Sequence, residues 1–457
     1  MNDVVFLLKN PPPQPITIVY RTHIGWSARR RAGADCPNST ATRLRPHAHT
    51  PVHAMIKMIP AEELKVGMYI HDLNCDWMSH PFARSRFEID DAEKIARITA
   101  AGIREVYIDT DLGIDATHAP TAEEVSAQVH QDMLAIAREP APYAPTTYEE
   151  ELERARSARK QAEQFVQRAM QDVRNGKALK IDGVDPIIDS VTSSVMRNAG
   201  ALLSLVGIKD KDQYTIQHSA AVCALMVAFA RHEGMPSDLV HQAGLGGLLH
   251  DIGKARVPEP VLNKNGTYTE EEFAIMRRHT EDGYDMLVET GIVEQVPLQM
   301  ALEHHEREDG TGYPYNLRSA EITKIAQMTA IVDVYDAITA ERSYRAAMQP
   351  TDGLRKLMEW SKFHLNPYLT HSFIRCVGIY PVGTLVKLES GLLGIVTEHN
   401  VQDLLRPKLK IIFDTKRNQY VPPRPLDLAR PLGSGGGDAI VSHESPRKWF
   451  INMEYFQ

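Results

Sequence analysis

The sequence predicts a multidomain, mainly α protein in which an all-α domain lies between a small N-terminal α+β module and a small C-terminal β appendage. Three observations carry that expectation. Apolar residues recur at helical spacing in successive segments from Asp185 to about Ile379, with short polar loops between them. Alternating apolar and polar residues, the pattern of half-buried strands, flank that stretch: "IKMIPAEELKVGMYIHDL" and "EVYIDT" before it, "YPVGTLVKLESGLLGIVTEHN" and "PKLKIIFDT" after it. The 457 residues also exceed one ordinary core, so two or three domains are expected.

Composition narrows the class. Apolar content of 43% and charged content of 24% are those of a soluble globular protein. A net charge of -8 argues against a nucleic-acid polymer as partner, while leaving room for a small anion held by a local arginine cluster. The cysteines Cys36, Cys75, Cys223 and Cys376 are scattered without a CxxC pair, so a reducing, cytoplasmic location is expected. The longest apolar run, near Ala220–Ala230, is roughly half of what spans a bilayer and reads as a buried helix, with no membrane insertion. The apolar stretch before Lys9 is too short for a signal-peptide core.

In chain order, residues 1–54 are rich in Pro, Arg, Thr and Ala without a sustained period and are expected to be disordered. Pattern begins abruptly at Met55, which raises the alternative that Met55 is the true start. Residues 55–118 form the α+β module: strands around a turn at Lys65–Gly67, a helix in "DDAEKIARITAAGI" with Ile95, Ile98 and Ile103 as its apolar stripe, then another strand. Roughly sixty residues are marginal alone, so the module should dock on something. Residues 119–184 hold a proline-rich break (Pro140, Pro142, Pro145) and a charged helix, "TYEEELERARSARKQAEQFVQRAMQDVRNGK", acidic early and basic late as the helix dipole favours. Its apolar stripe is thin, so a solvated connecting helix is expected. The helical domain takes residues 185–379 and the β appendage 380–425, with a turn at Glu389–Gly391. Residues 426–457, with Gly433 and Gly435–Gly437, are expected to be a flexible tail.

The chemistry concentrates in the helical domain. His250–Asp251 ends "AGLGGLLHDIGK". Glycine weakens a helix by roughly 1 kcal/mol per residue, so Gly244, Gly246 and Gly247 imply close helix contact beside something specific. Imidazole and carboxylate suit divalent metals, and the carboxylate can bridge two ions. His218 opens an apolar helix in "DQYTIQHS", His279 does so in "MRRHTEDGYDML", and "EHHEREDGTGYP" sets His304 beside His305. Adjacent helical residues diverge by about 100°, so that pair cannot readily share one ion. Asp333 lies in the apolar helix "AIVDVYDAITAERSYRAA", where a bare carboxylate would be expensive and a metal ligand would not. Each residue alone suits an ordinary hydrogen-bonded core position. Together they are the inventory of a dinuclear His/carboxylate site.

The order H…HD…H…HHE..DG.GYP…D closely resembles the HD-GYP subgroup of the HD phosphohydrolase superfamily. The likeness runs through "DQYTIQHS", "HDIGKARVPEPVLNK", "RRHTEDGYDML", "HHEREDGTGYP" and "DVYDAITAERSYR", over essentially all of residues 185–375. Residues 55–118, with "LKVGMYI" and then Trp77, His80, Pro81 and Phe82, resemble the small uncharacterised module that often precedes such domains in bacteria.

The resemblance implies an HD-type helical fold and hydrolysis of cyclic di-GMP to linear pGpG and/or GMP, by attack of a metal-bridging hydroxide on phosphorus. It implies two divalent ions, iron or manganese: one on His218, His250, Asp251 and Asp333, the second on bridging Asp251 with His279 and His304. Lys254 would orient or neutralise the reacting phosphate, paired with Asp212. Arg342 and Arg345, which share a helix face at i, i+3, would hold ligand phosphates through bidentate guanidinium geometry. The turn of Gly310, Gly312, Tyr313 and Pro314 would shape the site and offer a surface to partner proteins. Some relatives hold a third metal with a carboxylate four residues before the first histidine. Tyr214 stands there, so two metals are expected and His305 is left out of the ligand set. Other readings stay open at this point: another cyclic dinucleotide such as cyclic GMP–AMP, a module that senses a dinucleotide or docks partners, and a homodimer.

Overall fold

The structure, a computed structural model, describes residues 55–75, 82, 84–136, 146–206, 213–264, 266–340, 347–400 and 402–456. The readings made for residues 1–54, Trp77, His80, Pro81, the break at Pro140, Pro142 and Pro145, Asp212, Arg342 and Arg345 fall outside the described residues.

The N-terminal module runs β1 (Ile56–Pro60), β2 (Tyr69–Asp72), β3 (Phe87–Glu88), α1 (Ala92–Ala100) and β4 (Glu105–Asp109). Its strands form an antiparallel sheet in the order β1-β4-β2-β3. Asp91 caps α1 by accepting from the Lys94 amide, as its position before the apolar stripe requires. Ile59, Ile70, Ile98 and Ile108 are fully buried in a core of the module's own. The expected docking is present: the buried Tyr107 hydroxyl donates to Glu359 Oε2 across 3.0 Å, on a helix of the following domain.

Two helices lead out of the module, α2 (Ala122–Ile136) and α3 (Tyr148–Arg174). A capping box starts α3, Thr147 with Glu150. Here the structure departs from the expected solvated helix. Ala155, Ala158, Ala162, Phe165, Val166, Ala169 and Met170 are buried as one face against the helical core. Alanines at helical spacing register weakly as an apolar stripe, yet their small side chains let another helix approach. A buried Glu151 carboxylate secures the packing by accepting from Arg197 Nε at 2.6 Å and its terminal nitrogen at 2.7 Å.

The helical domain contains α4 (Asp185–Leu203), α5 (Tyr214–His232), α6 (Ser237–Leu249), α7 (Glu259–Leu262), α8 (Glu270–Arg277), α9 (His279–Glu289), α10 (Gln295–Glu303), α11 (Lys324–Thr339), α12 (Pro350–Trp360) and α13 (Pro367–Val377). Every residue of α5 from His218 to Ala230 is buried, so this helix is the axis on which its neighbours pack. The glycines of α6 do what their cost implied. A Cβ on Gly247 would lie 3.0 Å from Cys223 Cα and Val222 O on α5, and one on Gly246 only 2.4 Å from Met300 Sδ on α10. Among the described residues no helix is long and apolar enough to cross a membrane.

After α13 come β5 (Leu385–Leu388), β6 (Leu392–Glu398), β7 (Lys408–Asp414), β8 (Gln419–Asp427) and β9 (Ile440–His443), an antiparallel sheet in the order β8-β7-β6-β5-β9. The expected flexible tail therefore supplies an edge strand: β9 pairs with β5 through Val386–His443 and Lys387–Ser442. Its glycines marked the turns of a returning chain, and the four-residue strand was too short to show alternation.

Gly247→Ala should lower stability by about 1–3 kcal/mol, because the added methyl meets helix backbone that cannot swing aside. The expected result is a lower Tm together with less bound metal per chain, read by thermal denaturation and elemental analysis.

Candidate metal centre

Five segments of the helical domain bring their ends to one buried point. His218 lies in the second turn of α5. His250 and Asp251 follow the end of α6, and His279 stands at the junction of α8 and α9. His304 closes α10, and Asp333 lies inside α11. All six are buried. Local chemistry explains the convergence at His250–Asp251. After them the chain tightens into a 3-10 turn, Ile252–Arg256, in which a Cβ on Gly253 would sit 2.0 Å from the His279 carbonyl oxygen. Only glycine lets that turn lie on the start of α9.

The two oxygens of Asp251 face different histidines. Oδ2 is 3.5 Å from His218 Nε2 and 3.4 Å from His250 Nε2. Oδ1 is 3.4 Å from His279 Nε2 and 3.7 Å from His304 Nε2. Asp333 Oδ1 stands 3.0 Å from His218 Nε2 and 4.0 Å from His250 Nε2, on the Oδ2 side. This is the layout of a carboxylate shared between two ligand groups.

Each imidazole is held by its other nitrogen. Nδ1 of His250 faces Gly247 O at 2.9 Å, Nδ1 of His279 faces Met276 O at 2.6 Å, and Nδ1 of His304 faces Met300 O at 2.8 Å. A carbonyl can only accept, so the proton sits on Nδ1 and the Nε2 lone pair points into the cluster. His218 is held differently, with its Nδ1 2.5 Å from Asp336 Oδ2. Asp336 is a member of the cluster that the sequence reading missed. Its signal was present in "DVYDAITAERSYR": a second acid three residues after Asp333 on an apolar helix, hence on the same face.

Electrostatics keep His279, His304, His305, Asp251 and Asp333 in ligand form, with His250 the exception. Burial pushes the His279 imidazole down to about 3, and lowers His304 and, further, His305. At His250 burial is outweighed by the Asp251 and Asp333 carboxylates, which hold it above its ordinary value. Burial would raise Asp251, but Lys254 and His250 hold its carboxyl well below the usual range, and His218 does the same for Asp333.

The residues fit a divalent metal. Ligand atoms around an ion with bonds near 2.1 Å lie roughly 3 Å apart, close to the separations found here. His250 Nε2 and Asp251 Oδ1 are buried without a hydrogen-bond partner, an expensive arrangement for a carboxylate unless a cation is to be received. Among the described residues two groups could hold an ion, His218–His250–Asp251 and Asp251–His279–His304–His305. The second includes His305, which the sequence reading set aside. Its Nδ1 is 4.0 Å from Asp333 Oδ2, and Tyr313 stacks on its ring at 4.7 Å. Tyr214 lies stacked on His218, ring centroids 5.6 Å apart. Lys254 donates to Asp251 Oδ2 at 2.6 Å and so lies at the cluster's edge, while its expected pairing with Asp212 falls outside the described residues.

Asp336→Asn should weaken metal affinity about 10- to 100-fold, the usual cost of losing a carboxylate that orients a ligating histidine. Competition with a chelating dye measures it; an unchanged affinity would remove Asp336 from the site.

Two family models match the chain: a domain of unknown function, DUF3391, over residues 56–184, and an HD domain over residues 207–369. A cyclic di-GMP phosphodiesterase of Pseudomonas aeruginosa is 40% identical over 402 residues, which are 88% of this chain and 95% of that protein. A 3'3'-cGAMP-specific phosphodiesterase of Vibrio cholerae is 38% identical over 32% of this chain and 34% of its own length. A cyclic di-GMP phosphodiesterase of Thermotoga maritima is 32% identical over 36% of this chain and 45% of its own length. With similarity that extends along nearly the whole chain, and with the ordered histidines and aspartates gathered at one buried point, this protein belongs to the HD-GYP family, with a DUF3391 module ahead of its HD domain.

Proposed function

We propose that this protein is a metal-dependent phosphodiesterase that hydrolyses cyclic di-GMP to linear pGpG and/or GMP. The observation that carries the reading is the Asp251 carboxylate, buried with two imidazole nitrogens facing each of its oxygens. His218, His250, Asp251 and Asp333 would hold one divalent ion, and Asp251, His279 and His304 a second, with iron or manganese favoured by the all-nitrogen-and-oxygen donor set. Such a pair supplies acidified water as nucleophile and offsets charge on the phosphoryl oxygens.

The remaining work falls to the chain itself. Helix-end carbonyls and Asp336 fix the imidazoles, so the donor set is in place before substrate arrives. Lys254, with its side chain 16% exposed, stands at the edge of the cluster, where its ammonium both keeps Asp251 ionised and meets a phosphate oxygen. Arg342 and Arg345 are assigned to ligand phosphates, which favours a substrate with two of them; Asp212 is assigned to Lys254. The Gly312–Tyr313–Pro314 turn is the candidate surface for partner proteins. A second reading, hydrolysis of cyclic GMP–AMP, draws support from the Vibrio cholerae relative of that printed specificity.

The test is turnover by the full chain loaded anaerobically with iron(II) or manganese(II), with cyclic di-GMP and cyclic GMP–AMP followed separately by chromatography. Loss of cyclic di-GMP is expected; intact substrate under both metals would refute the reading. Asp251→Ala should reduce turnover to background and lower bound metal together. Arg342→Ala should raise KM about tenfold, for the loss of roughly 1.4 kcal/mol of charge-assisted hydrogen bonding.

A further inference from the structure

The corner between α1 and β4 of the N-terminal module is built around a backbone that touches the GYP turn. Gly102 adopts a left-handed conformation at φ +75°, and a Cβ there would lie 2.0 Å from Thr311 Cγ2 and 2.7 Å from Thr311 Cβ. No residue with a side chain fits that approach. Two residues on, the Arg104 guanidinium lies over the Phe363 ring at 5.2 Å, and its Nε is 3.8 Å from Asp309 Oδ2. Lys362 pairs with Glu105 beside it at 3.4 Å.

Asp309 is the node of this contact. Its side chain is only 3% exposed, and its carboxylate accepts from the Thr311 hydroxyl at 2.7 Å and the Thr311 amide at 3.1 Å. On its other oxygen it meets His364 Nδ1 at 3.2 Å. One carboxylate thus ties the turn to the loop after α12, with Arg104 of the module alongside.

From Asp309 the path to the cluster is short and stiff. The Tyr313 amide donates to His305 O at 3.2 Å. Glu306 accepts from the amides of Tyr315 at 2.7 Å and Leu317 at 3.0 Å. Gly312 has no room for a side chain, since its Cβ would lie 2.4 Å from Glu306 Cα. At the end of this path the Tyr313 ring stacks on His305 and meets His279 edge-on at 6.4 Å. A shift of the turn must therefore move rings that border the donor atoms.

We propose that the N-terminal module holds the GYP turn in the geometry that the metal cluster requires, with Gly102 and Arg104 as positioning residues acting through Thr311 and Asp309. The energetics separate this from mere adhesion. Arg104 is 53% exposed, and an exposed ion pair contributes too little for its loss to unfold the chain. Its removal should instead be felt locally, as looser hydrogen bonding in the turn. A catalytic group displaced by a fraction of an ångström loses rate far out of proportion to stability.

The experiment uses the full-length, metal-loaded protein and two readouts, so that only the kinetic one rests on the phosphodiesterase reading. Arg104→Ala and Gly102→Ala should each accelerate amide exchange at Tyr313, Tyr315 and Leu317 by about tenfold, as local opening becomes easier. With cyclic di-GMP, kcat should fall about tenfold while KM moves less than about twofold. Arg104→Lys should restore part of the loss. Arg104→Ala combined with Asp309→Asn should lose no more than the worse single variant, the mark of one shared path. Wild-type exchange in the turn in both Arg104→Ala and Gly102→Ala overturns the proposal, as does additive loss in the double variant. Absence of turnover in the wild-type protein would refute the phosphodiesterase reading instead, and the exchange data would still decide this one.

Discussion

The constraint on which the rest of the helical domain depends is the burial of Asp251. A carboxylate that is 1% exposed costs several kcal/mol to remove from water unless opposite charge and hydrogen bonds replace the hydration. Among the described residues Lys254 reaches one oxygen, and the other has no hydrogen-bond partner. His279 and His304, which burial keeps neutral, cannot supply the missing positive charge. Cations in the middle would complete the balance. Much of the surrounding architecture follows from bringing those groups together: the all-round burial of α5, the glycines of α6 and the glycine-dependent turn that lays Ile252–Arg256 against α9.

The path from sequence to this site was open where chemistry and order coincided. Histidines and aspartates in an otherwise apolar run are conspicuous, and His218, His250, Asp251, His279, His304 and Asp333 do meet at one point. Glycines at Gly246 and Gly247 were readable for the same reason: a helix does not carry them without a packing cause. What escaped was relational. Asp336 is not singled out by the sequence, because its significance lies in which imidazole nitrogen it faces, and that depends on how α11 crosses α5. Likewise α3 was read as solvated because alanine contributes little to an apolar stripe. It counts for packing only once a partner helix is known to approach closely. The last strand was hidden by its length, since four residues cannot display a period. Register against β5 and not composition makes it a strand.

His305 shows the limit of reading a ligand by subtraction. The residue at Tyr214 cannot supply the carboxylate that a third ion would want, so His305 had no evident partner. In the structure it nevertheless stands with Asp251, His279 and His304, its ring covered by Tyr313. The same imidazole can complete a donor group or serve as the surface on which the GYP turn rests. The second role explains its burial without any third ion, and it ties the turn to the cluster through a stacked pair of rings and not through a bond to metal.

A common device orients the histidines, and its one exception explains Asp336. The last carbonyls of a helix lack intrahelical partners. His250, His279 and His304 each follow a helix end, of α6, α8 and α10, and each places Nδ1 against a carbonyl of that last turn. One hydrogen bond thereby satisfies a helix terminus and fixes an imidazole tautomer. Three helix C-termini aimed near the cluster also add negative potential where cations are wanted. His218 lies in the second turn of α5, where the neighbouring carbonyls already accept from amides further along the helix and no helix C-terminus is at hand. Its orienting acceptor has to be a side chain from elsewhere, and Asp336, one helical turn along α11 from Asp333, is placed to be that acceptor.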